Sequence, residues 1–141
     1  MPPLFMNKSK LIPPFLLIVF LALGGCEEDI IPDLEDARDA FIGTWTCTDY
    51  PGKSQSSAYT VEITADTYNS SRVLIYNYFQ LGYEVAPYAV VAGNTITVPE
   101  QLVENGTWQV SGFGQLKGNE IHWQEYNANH FTYKAVFRRS K

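Results

Sequence analysis

Leu116-Lys-Gly-Asn-Glu-Ile-His-Trp-Gln-Glu-Tyr126 places a Gly–Asn pair between two runs in which apolar and polar residues alternate. A two-residue hairpin turn needs positive φ, which glycine and asparagine adopt more readily than other residues. A second pair, Gly93–Asn94, precedes Thr95-Ile-Thr-Val98 in the same way. Both patterns predict tight antiparallel hairpins, so strands that are neighbours in sequence should also be neighbours in space.

The chain keeps this period of two from Gly43 onward. Runs rich in β-branched and aromatic residues are bounded by Gly, Asn, Pro, Ser and Asp, which is typical of an all-β domain. The predicted strands are Gly43–Tyr50, Ala58–Ala65, Arg72–Leu81, Tyr83–Val91, Thr95–Val98, Gly106–Leu116, Glu120–Tyr126 and Phe131–Arg139.

Eight antiparallel strands in about 100 residues must hide their apolar faces. An eight-stranded barrel does so by closing on itself, and its interior is either filled by side chains or holds one small ligand. We therefore predict an antiparallel meander closed into a barrel over residues 41–141, and a two-sheet β-sandwich is the alternative. Ahead of the barrel, the apolar spacing of Asp33–Phe41 and a capping aspartate at its start predict a short N-terminal helix.

The first 25 residues have the layout of a secretory signal. Lys8 and Lys10 precede an apolar block, Leu11–Leu23, and Gly24–Gly25 supplies the small residues that a signal peptidase needs. A transmembrane helix is the alternative, and it needs roughly 20 apolar residues. This run is shorter, is interrupted by Pro13–Pro14 and is followed by acids. We therefore expect residues 1–25 to be removed.

Negative charge is concentrated in the residues that follow the signal. The net charge of the whole chain is −5, and it is −7 without residues 1–25. Residues 26–40 hold seven acids and one base, whereas residues 41–141 hold eight acids and seven bases. The acidity therefore belongs to a tether ahead of the barrel. Because no basic face is evident, nucleic acid is not an expected partner.

Leu23-Gly-Gly-Cys26 resembles the lipobox of bacterial lipoproteins. The resemblance implies that the Cys26 thiol is acylated and that the chain is cut before it, which would fix the protein to a membrane through a lipid anchor. The acids Glu27, Glu28 and Asp29 resemble the export signal of surface-exposed lipoproteins in Bacteroidetes. That resemblance implies the outer membrane and the cell surface, and the alternative is a charged spacer.

The Gly43-x-Trp45 pair resembles the signature that opens the first strand of lipocalins and related calycins, and Phe137-Arg-Arg-Ser140 resembles the end of their last strand. The resemblance implies that Trp45 closes the barrel floor and that Arg139 or Arg138 lies across its ring. Such a cation–π contact is worth about 0.5–2 kcal/mol. With the lipobox and the acidic tether, the whole pattern resembles the small lipocalin-like lipoproteins of Bacteroidetes.

The sequence contains no recognisable motif for catalysis, a metal or a cofactor. His122 and His130 lack the spacing of metal ligands, and the glutamates are scattered. Cys47 has no basic partner nearby in sequence, so we interpret it as a small apolar strand residue. We therefore assign no catalytic residue, no metal and no cofactor. An enzymatic activity is possible, but no feature of the sequence supports one.

Aromatic residues are the remaining candidates for a site, because tyrosines favour positions with one apolar and one polar end. Tyr76 and Tyr78 alternate on one face of a predicted strand, and Trp108 and Trp123 lie in two later strands. One hypothesis is that these side chains line a barrel that binds a small apolar or amphipathic ligand. The second hypothesis is a surface interaction or accessory module with a filled interior, which binds a protein or a glycan and has no catalysis.

Two glycines adjoin this candidate site. Gly112 and Gly114 share a strand face with Trp108, so two bare positions lie side by side. Glycine within a strand marks a bend or the close approach of another group. The pair therefore indicates a barrel corner, a slot for Trp45, or the wall of a ligand cavity.

Overall fold

The computed structural model describes residues 36–52, 54 and 58–141. The predicted signal peptide, the lipidation site Cys26 and the start of the predicted helix lie outside the described residues. Residues 36–42, which include the described part of the predicted helix, form hydrogen-bonded turns and not a regular helix. The amides of Phe41 and Ile42 both donate to the carbonyl of Arg38, at 2.8 and 3.0 Å. Within the described residues, no helix has the length and apolar character needed to span a membrane.

The protein is an all-β, closed antiparallel barrel, as the hairpin pattern predicts. Each strand pairs with the next in sequence, and the first strand pairs with the last, so the sheet closes and the sandwich alternative is not adopted. The strands are β1 Gly43–Tyr50, β2 Tyr59–Ala65, β3 Arg72–Tyr76, β4 Tyr88–Ala92, β5 Thr95–Val103, β6 Trp108–Lys117, β7 Glu120–Ala128 and β8 Phe131–Arg139.

The main departure from the predicted strands is the connection between β3 and β4. The strand predicted for Arg72–Leu81 ends at Tyr76, because Asn77 takes a φ of 62° and Phe79 a φ of 55°. Backbone in this left-handed region cannot continue a strand. A short 3-10 turn follows at Tyr78–Gln80, so the expectation that Tyr76 and Tyr78 share one strand face is wrong.

The barrel has two distinct ends. The capped end is where β1 begins and β8 ends, and the turn that carries Phe41 lies there. The far end is where β1 ends and β8 begins, and the β3–β4 connection lies there. Inward-facing side chains fill the space between the two ends, as the buried alternate positions of each strand show.

A tryptophan and an arginine join the first strand to the last at the capped end. The Arg139 guanidinium carbon lies 4.2 Å from the centroid of the Trp45 ring, which is fully buried. Arg139 also donates to the carbonyls of Ala40 and Ile42, at 2.7 and 3.0 Å. Arg138 instead contacts Glu120 at 3.2 Å, so only Arg139 takes the position that the lipocalin resemblance implies.

Gly43 makes room for this arrangement. Its φ is +137°, and a Cβ at this position would lie 2.9 Å from Nη1 of Arg139. The Trp45 indole N–H donates to the carbonyl of Phe41 at 2.8 Å, which holds the N-terminal turn against the barrel floor. Gly43 and Trp45 therefore both stabilise the capped end. Gly43 leaves room for the Arg139 side chain, and the Trp45 ring contacts that side chain and bonds to the N-terminal turn.

A second arginine, Arg38, fixes the same turn from the other side. Its Nη1 donates to the carbonyls of Asp66 and Asn69 in the β2–β3 loop, at 3.0 and 3.1 Å. The carboxylate of Asp36 accepts from its Nε at 2.8 Å and holds the guanidinium in place. The turn ahead of β1 is thus tied both to β8 and to the β2–β3 loop.

We predict that Arg139→Gln lowers the free energy of unfolding by about 1–3 kcal/mol, because it removes a cation–π contact and two charged hydrogen bonds at once. Urea unfolding followed by circular dichroism measures this change. The matched control is Arg138→Gln, which loses an exposed ion pair and should stay within about 0.5 kcal/mol of the parent. Equal losses in the two variants would contradict the proposed closure.

Candidate functional site

The aromatic side chains named as a ligand site lie on both sides of the barrel wall. Tyr78 and Trp123 are buried inside, edge to face, with ring centroids 5.9 Å apart. Tyr76 points outward, since its neighbour Ile75 is the buried, inward residue of β3. Trp108 packs against the core where β6 begins. The structure therefore brings Tyr78 and Trp123 together and places Tyr76 on the opposite side of the sheet.

Gly112 and Gly114 lie directly under these interior rings. A Cβ on Gly112 would lie 2.5 Å from the hydroxyl oxygen of Tyr78 and 3.1 Å from Cζ3 of Trp123. A Cβ on Gly114 would lie 3.0 Å from Cδ2 of Trp123. The two bare positions thus form a slot that Tyr78 and Trp123 fill, and Trp45 is not the ring that occupies it.

A chain of hydroxyl groups crosses the interior at the far end. The amide of Phe79 donates to the Tyr126 hydroxyl at 2.6 Å, and that oxygen lies 3.0 Å from the Tyr59 hydroxyl. Tyr59 donates in turn to a carboxylate oxygen of Asp49 at 3.0 Å. These contacts link β1, β2 and β7 to the β3–β4 connection. The polar ends of the buried tyrosines therefore hold the far end together.

Burial controls the ionisation of this interior. It raises the pKa of the Cys47 thiol from 9.0 to about 12, and it raises the pKa of Tyr59, Tyr78 and Tyr126 above their ordinary value. All four groups are therefore protonated at neutral pH. A protonated thiol is a poor nucleophile, so the environment of Cys47 favours a packing role.

Among the described residues, three of the four large hydrophobic side chains that are exposed lie at the far end, and the fourth, Tyr68, lies at the capped end. Tyr83, Leu102 and Phe131 are 50%, 67% and 51% exposed, and we call these three residues the far-end rim. Phe131 lies 6.2 Å from Tyr133, ring centroid to ring centroid, and Tyr133 stacks on Phe79 at 4.9 Å. A series of aromatic contacts therefore runs from the rim to the buried interior.

A groove lies on the outer wall of the barrel, across β1, β8 and β7 and beside the end of β6. Its volume is about 460 Å³, and we call it the wall groove. The side chains that matter to its chemistry are Tyr50, Lys117, His122, Gln124, Lys134 and Val136. Sequence reasoning missed this groove, because its residues come from four strands and meet only when the barrel closes.

The two histidines lie in different settings. His122 is on β7, where its Nε2 lies 2.9 Å from a carboxylate oxygen of Glu120, and His130 is in the β7–β8 turn. Across residues 36–52, 54 and 58–141, no three His, Cys, Asp or Glu side chains are arranged to hold a metal ion.

No protein-family model and no curated protein matches the sequence. Among solved structures, the chain is similar to a redesigned β-barrel, with 14% sequence identity and a TM-score of 0.55. The match covers 75% of this chain and 96% of the redesigned barrel. At this identity the likeness supports the barrel fold and carries no information about a ligand or partner.

We predict that Gly112→Ala costs about 1–3 kcal/mol of unfolding free energy, because the new methyl group must displace Tyr78 or Trp123 from a filled slot. Thermal or urea unfolding measures the loss. Combining the change with Tyr78→Phe, which removes the hydroxyl nearest to the new methyl, should recover part of it in a double-mutant cycle. An unchanged stability of the single variant would show that this slot is open space.

Proposed function

We propose that this protein is a small lipocalin-like surface lipoprotein of the Bacteroidetes type. In this proposal residues 1–25 are removed, Cys26 is acylated, and the acidic residues 26–40 tether the barrel to the outer face of the outer membrane. Each buried methylene of an acyl chain contributes about 0.8 kcal/mol to membrane binding, and two or more chains give a stable anchor. The lipobox-like sequence and the acids beside it support this location.

The tethered barrel acts as an interaction module that binds a partner protein on the cell surface. The observation that carries this function is the contrast between its interior and its far end. The interior is occupied by interlocked aromatic rings, whereas the far-end rim exposes a leucine, a phenylalanine and a tyrosine. Exposed aromatic and aliphatic side chains that share one end of a domain are candidates for a protein interaction site.

The end at which the described chain enters the barrel supports the same function. The described chain enters the barrel at the capped end, through the turn at Ala37–Phe41, and the far-end rim lies at the other end. A barrel anchored through residues ahead of Asp36 therefore has its apolar rim on the end away from its attachment. A partner in the medium or on a neighbouring surface protein can reach that end.

Binding of a small apolar or amphipathic ligand is the second candidate, and one observation favours it. Asn77, Phe79 and Gln80 all have positive φ, at 62°, 55° and 62°. Backbone strain of this kind costs on the order of 1–3 kcal/mol per residue and is concentrated at ligand clamps and switch segments. Withdrawal of the strained segment would take Tyr78 out of the barrel and open a lumen lined by aromatic rings.

The anchor is tested by Cys26→Ser in the native host. The parent should fractionate with outer membranes, and the variant should move to the soluble fraction because it has no thiol to acylate. Cys47→Ala is the matched control, since it removes the other cysteine and should leave the parent's distribution unchanged. A Cys26→Ser variant that stays with the membrane would contradict the lipoprotein proposal.

The partner surface is tested with a photo-crosslinking amino acid placed at residue 131 or residue 102, at the far end, in living cells. We expect both positions to capture one discrete protein. Tyr68 is the control position, because it is 98% exposed and lies in the β2–β3 loop at the capped end. Two results would reject the interaction module. One is equal capture at residue 68. The other is no capture at either rim position together with a fatty-acid probe that shifts the melting temperature.

A further inference from the structure

The wall groove has the form of a binding site that is separate from the far-end rim. The pairing of β7 with both neighbours shifts register near Gln124, at Phe113/Gly114 on one side and Trp123/Tyr126 on the other. An extra residue of this kind bends the strand and re-aims side chains. The resulting groove, of about 460 Å³, is within the range of about 300–1,000 Å³ that small-ligand sites occupy.

Two lysines line the wall groove of this acidic protein. The chain carries a net charge of −5, yet Lys117 and Lys134 both line the groove. Among the described residues, neither lysine lies within ion-pair distance of a carboxylate, whereas Arg138 and His122 both contact Glu120. Two ammonium groups without carboxylate partners can attract a ligand that carries negative charge.

His122 and Gln124 complete the groove with hydrogen-bonding groups that are held in place. The carboxylate of Glu120 contacts the His122 ring at 2.9 Å and thereby orients it. The amide of Gln124, in the orientation that satisfies its partners, donates to the carbonyls of His122 and Phe113 at 3.2 and 3.1 Å. These bonds fix the amide of Gln124, which lines the groove.

The lining of the groove also includes apolar and amphipathic side chains. Val136 points outward from β8, next to the buried Ala135 on the same strand. Tyr50 is paired with Lys134 across β1 and β8, and both residues line the groove. A pyranose ring has the complementary character, since it has apolar C–H faces and hydroxyl groups around its edge.

We propose that the wall groove binds a sugar ring that carries a carboxylate, phosphate or sulfate group. The anionic group faces Lys117 and Lys134, the ring packs on Val136 and Tyr50, and the hydroxyl groups bond to Gln124 and His122. The residues of the groove and those of the far-end rim do not overlap, so this site is independent of the protein partner proposed above.

The test is a calorimetric titration of the full chain with four probes: galacturonate, galactose 6-phosphate, galactose 6-sulfate and neutral galactose. We expect at least one charged sugar to bind about tenfold or more tightly than galactose, with an affinity that falls as salt is added. The charged sugar that binds most tightly identifies the anionic group. Binding of all four with equal affinity, or of none, would overturn the proposal.

Variants assign the binding to the groove. Lys134→Gln and Lys117→Gln should each lower the affinity for the charged sugar severalfold, and the double variant should lower it about tenfold or more. Lys141→Gln, which changes the charge equally outside the groove, should bind like the parent. An equal loss of affinity in Lys141→Gln would mean that the attraction is unspecific. Benzoate is a further probe, and if it binds more tightly than every charged sugar, the ligand is not a sugar. Either result overturns the proposal.

Discussion

The cation–π contact between Arg139 and Trp45 is the interaction on which the rest of the structure depends. It joins the last residue of β8 to the third residue of β1, next to the seam where the sheet closes. Closure removes both sheet edges, so none of the strands β1 to β8 in the described residues is left as an unpaired edge. The same arginine holds the carbonyls of the N-terminal turn, and the cap and the seam are therefore stabilised by one side chain.

Closure also determines what the interior can contain. An eight-stranded barrel has room for side chains or for one small ligand. Here side chains fill it, because two large rings pack over two glycines. Gly112 and Gly114 have no side chains, and the Tyr78 and Trp123 rings occupy the space that side chains at these two positions would fill. Tyr78 arrives from a connection between strands and not from a strand, so the filling of the barrel depends on the conformation of the β3–β4 connection. The interior thus stabilises the barrel, and the exposed features, the rim and the groove, lie on its outside.

The fold could be predicted from the sequence because its determinants are local. The Gly–Asn pairs act within four residues, and Gly93 and Gly118 indeed take positive φ, at 58° and 61°. The β3–β4 connection was missed, because Asn77 is the one residue of a turn-favouring type among the three with positive φ there, and Phe79 and Gln80 carry no such signal. Glycine, the usual signal for such a conformation, follows only at Gly82. Because the run Arg72–Leu81 has the composition of a strand, the sequence did not indicate the turn that places Tyr78 inside the barrel.

The candidate sites were harder to predict for a different reason. The wall groove combines side chains from β1, β6, β7 and β8, and the rim combines residues between Tyr83 and Phe131, so neither has a motif in sequence. Arg38 was likewise missed, because its acceptors are carbonyl groups about 30 residues away that carry no side-chain signature. Composition did indicate aromatic residues as important, yet it could not separate rings that fill the barrel from rings that remain on its surface.

Hydrogen exchange at the β1–β8 seam distinguishes a closed barrel from an open sheet, because the two differ most in those backbone amides. We expect the amides paired across the seam to be protected as strongly as those between β6 and β7. If the amides along β1 and β8 exchange as rapidly as those of an unpaired edge strand, the barrel is not closed and Arg139 does not have the role described here.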